Sequence, residues 1–89
     1  MTIRYSKNAI QSLKSMSDRD LSSVIEEIRG ATLTPPAAKI LPLPGKPGSL
    51  KAICCGNWYA VFRRSIFKGV ECIYITEIFD AEEFGYYRH

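Results

Sequence analysis

What this sequence lacks narrows its function first. It has no run of roughly 18 or more apolar residues, so no transmembrane helix and no membrane partner are expected. Its first residues, MTIRYSKNAI, lack the apolar core of a signal peptide, so the expected location is the cytoplasm. There is one histidine, there are three cysteines, and no CxxC pair occurs. A zinc site needs about four ligands at a recognisable spacing, and no such set exists. Cys54 and Cys55 are adjacent, so on a strand they point to opposite faces and cannot share an ion. An odd cysteine count in a reducing compartment also argues against a disulfide framework. The three thiols read as small core residues, with no metal and no cofactor expected. No internal repeat, low-complexity tract or interdomain linker is visible. A strong excess of one charge is missing too. Twelve Lys and Arg against nine Asp and Glu leave a net charge of +3, which permits nucleic-acid binding without demanding it.

What remains is an ordinary globular composition, 46% hydrophobic over 89 residues, read as one domain spanning 1–89. A domain this small buries only about 60% of its unfolded surface, which leaves room for a stabilising partner.

Thr2 to Tyr5, "TIRY", reads as a first strand, with Ser6 as the N-cap of the helix behind it. Ala9, Ile10, Leu13 and Met16 give that helix one apolar face. "SMSDRD" breaks it, and Ser17 with Asp20 has capping-box spacing. Leu21, Val24, Ile25 and Ile28 then form the cleanest helical stripe in the chain, with Gly30 expected as a C-cap. Short links between the two helices favour a helical hairpin. "TPP" (34–36) is a spacer, "AAKILPL" (37–43) a strand near an edge, and "PGKPGS" (44–49) a loop. Leu50–Cys55 and Trp58 to about Ser65 read as strands joined by a two-residue Gly56-Asn57 turn. After a turn at "FKG" (67–69), "VECIYITEIF" (70–79) is the most β-prone stretch, with apolar residues on both faces. The acidic, then aromatic and basic "DAEEFGYYRH" (80–89) is left as a tail. The order β-α-α-β-β-β predicts an α+β domain: a twisted antiparallel sheet with the helical hairpin on one face.

That order, together with "AKILPLPGKPGSLKAICCGNWYAVFRR", resembles the RelE/ParE superfamily of toxins from bacterial toxin–antitoxin systems. The matching features are the Lys39-Ile40-Leu41 strand entry, the Pro44–Ser49 loop, Leu50-Lys51-Ala52-Ile53, the Gly56-Asn57 turn, and the aromatic strand Tyr59-Ala60-Val61-Phe62-Arg63. The resemblance covers nearly the whole chain. It implies a cognate antitoxin protein as partner, with a segment lying across the open sheet face and its edges. It also implies one of two targets. RelE-like members are ribosome-dependent mRNA endonucleases, in which cationic side chains hold the scissile phosphate while the ribose 2′-hydroxyl attacks it without a metal. ParE-like members inhibit DNA gyrase.

For the nuclease, the resemblance makes Lys51 a phosphate-binding residue and gives Arg63 or Arg64 a catalytic role. It also assigns proton transfer to Tyr87 or His89, with Tyr86 and Arg88 contacting RNA. Against it, family arginines are replaced at Ala60 and near Asp80. This points to the gyrase inhibitor, while the modest charge fits a third reading, a non-catalytic member that keeps the fold and binds an antitoxin. Arg63 and Arg64 must face opposite ways on a strand. If Trp58 and Phe62 pack under the helices, Arg63 shares the other face with Tyr59. Trp58 and Tyr59 read either as base-stacking or, more often, as packing aromatics. Glu82 and Glu83 read as a solvated acidic patch.

Overall fold

The computed structural model describes residues 2–33, 40–46 and 49–89. The proline spacer 34–36, the first three residues of the strand expected at 37–43, including Lys39, and residues 47–48 of the loop lie outside them. The elements are β1 (Thr2–Tyr5), α1 (Lys7–Lys14), α2 (Asp18–Leu33), β2 (Ile40–Pro42), β3 (Lys51–Cys55), β4 (Trp58–Phe67), β5 (Val70–Asp80) and α3 (Ala81–Arg88). The five strands form one sheet in the order β1-β5-β4-β3-β2, and the chain order is β-α-α-β-β-β-β-α, one strand and one helix more than β-α-α-β-β-β.

Three pairings are antiparallel, as expected, but β1 runs parallel to β5, so the sheet is mixed. The reason is connectivity. A tight turn forces its two strands antiparallel, whereas β1 and β5 are far apart in sequence and their relative direction is free. The turns are those their residues dictate. Gly56 has φ 72°, the positive value a two-residue hairpin needs at its first position, and Lys68-Gly69 has φ 51° and 77°.

The helical hairpin covers one face. Ser6 caps α1: its Oγ accepts from Ala9 N at 3.0 Å and donates to Thr76 O at 2.6 Å, tying the helix start to β5. Ser17 Oγ accepts from Asp20 N at 3.2 Å, as its spacing predicted. α2 runs on through Gly30, which is therefore not the C-cap. Ala9, Leu13, Val24, Ile28 and Ala31 pack on Ile53, Cys55, Ala60, Phe62, Ile73, Ile75 and Ile78.

The chain does not end in a loose tail. Residues 81–88 form α3 on the opposite face. Asp80 accepts from Glu83 N at 2.8 Å, and Glu83 Oε1 accepts from Asp80 N at 3.3 Å, a reciprocal capping box. Phe84, 2% exposed, closes a second core with Leu43, Ala52 and Val61. Its ring stacks on Tyr59 at 4.2 Å between centroids, with planes 8° apart.

Candidate functional site

The two faces divide the candidate residues. Strand partners share a face, so Lys51, paired with Phe62, falls on the helical-hairpin side of the sheet. Arg64, paired with Ile73, shares that side; both are exposed. Arg63 pairs with Tyr74 and shares the α3 side with Tyr59, while Trp58 and Phe62 pack beneath the helices. The choice between Arg63 and Arg64 for the open face therefore falls on Arg63. Lys51 is not brought to the C-terminal residues.

Both aromatics of the Trp-Tyr pair are engaged in packing. Trp58 Nε1 donates to Asp20 Oδ2 at 3.4 Å, beside a cleft of about 520 Å³ between the start of α2 and the β3–β4 turn. Tyr59 is stacked under Phe84. Cys54 is half-buried, Cys55 and Cys72 are buried, and none of the three is in a disulfide. Among the described residues no group of three or more His, Cys, Asp or Glu side chains is arranged to hold a metal.

α3 carries the C-terminal candidates onto the sheet. The Tyr87 ring lies 4.8 Å from that of Phe79, and Lys46 Nζ lies 4.3 Å from the Tyr87 centroid. Arg88 Cζ is 5.6 Å from the Phe84 centroid. Lys46, Arg88 and His89 line a cleft of about 170 Å³ with Pro42, Leu43 and Pro44. Tyr86, 80% exposed, points away from the packed side. Burial, and secondarily the Glu77 carboxylate, pushes the Tyr87 phenol above its ordinary value. A phenol shifted in this direction keeps its proton at neutral pH.

Sequence reasoning missed two residues of this site. Lys46 sat in a loop read from its prolines and glycines alone. Glu77 is a half-buried carboxylate near Tyr87, and its Oε1 accepts from Asn8 Nδ2 at 3.0 Å. The D-x-x-E spacing of Asp80 and Glu83 was the available signal that a helix begins there.

No family model matches the sequence, and no curated protein does. Its fold does match solved structures. The YoeB/ParE toxin from Agrobacterium tumefaciens superposes with a TM-score of 0.71 at 17% identity, over 90% of this chain and 98% of that one. The RelBE2 toxin–antitoxin complex from Mycobacterium tuberculosis gives 0.70 at 20% identity, over 89% and 95%. The archaeal RelE–RelB complex from Pyrococcus horikoshii gives 0.67 at 17%, over 90% and 93%. The chain thus has the fold of these RelE and YoeB/ParE toxin structures and spans nearly the full length of the chains it matches. No helix among the described residues is long and apolar enough to cross a membrane.

Proposed function

We infer that the protein is the toxin of a toxin–antitoxin pair and that it cuts messenger RNA on the ribosome. The observation that carries this reading is the docking of α3, which brings Arg88 and His89 to one cleft with Lys46, on the sheet face opposite the helical hairpin, and sets the Tyr87 ring 4.3 Å from the Lys46 ammonium beside it. Lys46 and Arg88 neutralise the scissile phosphate. His89 takes the proton of the ribose 2′-hydroxyl, whose oxygen attacks phosphorus. The P–O5′ bond breaks, and the Tyr87 phenol gives its proton to the departing oxygen. The products are a 2′,3′-cyclic phosphate and a 5′-hydroxyl. Arg63 serves on the same face, two residues beyond Val61 on β4 and past the bulge in β5. The antitoxin partner is supported by the RelE–RelB and RelBE2 complexes, and a segment of it lying on this face would block the cleft.

The test is primer extension on messages from translating ribosomes given the purified protein. Cuts in the A site are expected. Tyr87→Phe is expected to slow them by at least about 10²-fold, the usual contribution of a positioned proton donor, with the melting temperature unchanged because the ring still packs. No cuts by the wild-type chain, or equal rates in the variant, refute the assignment. The position of Lys51 and Arg64 on the other face favours a second reading, a non-catalytic gyrase inhibitor. In that case expression induces a DNA-damage reporter and leaves translation intact.

A further inference from the structure

α3 covers only part of its sheet face. Beyond it, β1 sets Arg4 beside Tyr74 of β5, and β4 sets Arg63 on the other side of Tyr74. These three residues form one row across three strands, the arginine backbones about 10 Å apart at ordinary strand spacing. Each guanidinium lies against a ring. Arg4 Cζ is 3.2 Å from the Phe67 centroid, and Arg63 Cζ is 5.4 Å from that of Tyr74. Such stacking orients the guanidinium plane and leaves its N–H edge for a pair of oxygens.

The next row brings hydroxyls from Thr2 and Ser65, and then Phe67 and Val70 end the hairpin 43% and 57% exposed. Two adjoining clefts open here. One of about 180 Å³ involves both arginines, Ser65 and Tyr74; one of about 250 Å³ lies among Arg4, Phe67 and Val70. Among the described residues no acidic side chain belongs to these rows. Glu71 pairs with Ile66 on the opposite face, and Glu77, past an irregularity in the strand pairing, is held by Asn8.

We propose that this surface is a second RNA subsite, holding a phosphodiester of single-stranded RNA between Arg4 and Arg63 with a neighbouring base against Phe67 and Val70. Positive charge without a local carboxylate selects an anionic occupant. Guanidinium forks beside exposed aromatic and apolar surface are the means by which proteins hold single strands. The inference rests on RNA being the substrate and extends that reading: the strand leaves the cleft at Arg88 and passes Arg63 toward Arg4 at the sheet edge.

The test titrates the full chain into a fluorescein-labelled, uncleavable 2′-O-methyl oligonucleotide at several salt concentrations. Arg4→Gln is expected to weaken binding about tenfold and to lower the slope of log affinity against log salt by about 0.7, the share of one phosphate contact on a single strand. Arg4→Lys keeps the slope but loses the fork, and falls between the two in affinity. Glu71→Gln, on the opposite face, changes neither quantity. Melting curves confirm that each variant is folded. Failure of the wild type to bind at about 50 mM salt, where phosphate contacts are strong, overturns the proposal, and so does unchanged affinity in Arg4→Gln. Arg4-dependent binding of polyglutamate without Arg4-dependent RNA binding overturns it in favour of a protein partner. The ribosome assay separates the two readings. Cuts with Arg4-independent RNA binding remove this subsite alone, and Arg4-dependent binding without cuts removes only the nuclease.

Discussion

Replacing Phe84 with alanine tests whether α3 belongs to the folded core or merely rests on it. Phe84 is 2% exposed, and it closes a cluster in which Ala52 and Val61 are fully buried. Large-to-small changes of a buried phenylalanine cost about 3–5 kcal/mol, and a stacked aromatic pair adds about 0.5–1.5 kcal/mol to area burial. Phe84 has that pair with Tyr59. An eight-residue helix has no stability of its own, so α3 undocks once docking no longer outweighs its ordering. Undocking caps the loss, which places the expected cost at the lower end, about 3 kcal/mol. In a domain of this size that lowers the melting temperature by roughly 12–24 °C. Urea unfolding gives the free energy, and hydrogen exchange reads where protection is lost. The amides of 81–88 should exchange fastest in the variant, while β4 and β5 stay protected. The reasoning fails if the cost is below about 1 kcal/mol, or if α3 already exchanges freely in the wild type.

Three further outcomes are expected. Burial raises the Tyr5 and Tyr87 phenols, and the neighbouring Cys54 raises Tyr59. The folded state thus holds these protons more tightly than the unfolded state. That stability is complete below about pH 10 and is lost as pH rises through the folded values, so urea midpoints should fall as pH is raised above about 10, and less steeply in Tyr5→Phe. Gly30 lies inside α2 with no positive φ, and a methyl group there would meet nothing within 4 Å, so Gly30→Ala should stabilise by about 1 kcal/mol in the same urea assay. Deleting Thr76 should abolish cooperative unfolding, whereas Thr76→Val, which loses the 3.3 Å hydrogen bond to Val61 O, should cost about 1 kcal/mol.

Much of this fold was legible because local chemistry and burial agree. Ser6 and Ser17 cap the helices they precede, Gly56 turns the hairpin, and the stripe through Val24 and Ile28 is the buried face of α2. Gly30 misled because a glycine stops a helix only where the chain must reverse, and here nothing forces it to. α3 was missed for a different reason. Gly85 and two tyrosines carry little helix propensity, and a single residue, Phe84, does most of the burying, so no period is visible in eight residues. The helix exists because the sheet offers Phe84 a place, a tertiary effect that no local window contains. The same holds for Lys46, whose position over Tyr87 follows from that docking.

The apolar residues on both faces of β5 have a specific cause that bears on the site. Val61 pairs with Glu77 and Phe62 with Ile75, so Thr76 is an extra residue bulged out of the ladder. Strict alternation from Ile73 and Ile75 would send Glu77 toward the helical hairpin and Ile78 to the α3 face. The bulge resets the phase: Ile78 joins Ile73 and Ile75 in the buried core, and Phe79 joins Tyr59 beneath α3. It is fastened from both sides, by Thr76 Oγ1 donating to Val61 O and by Ser6 Oγ donating to Thr76 O. Tyr74 and Arg63 lie on one side of this dislocation and Phe79 with Tyr87 on the other, all on the same face. Without the extra residue the covered and open halves of that face could not both be built from one strand. The bulge is therefore the feature that lets a single sheet carry the α3 cleft and the arginine row side by side.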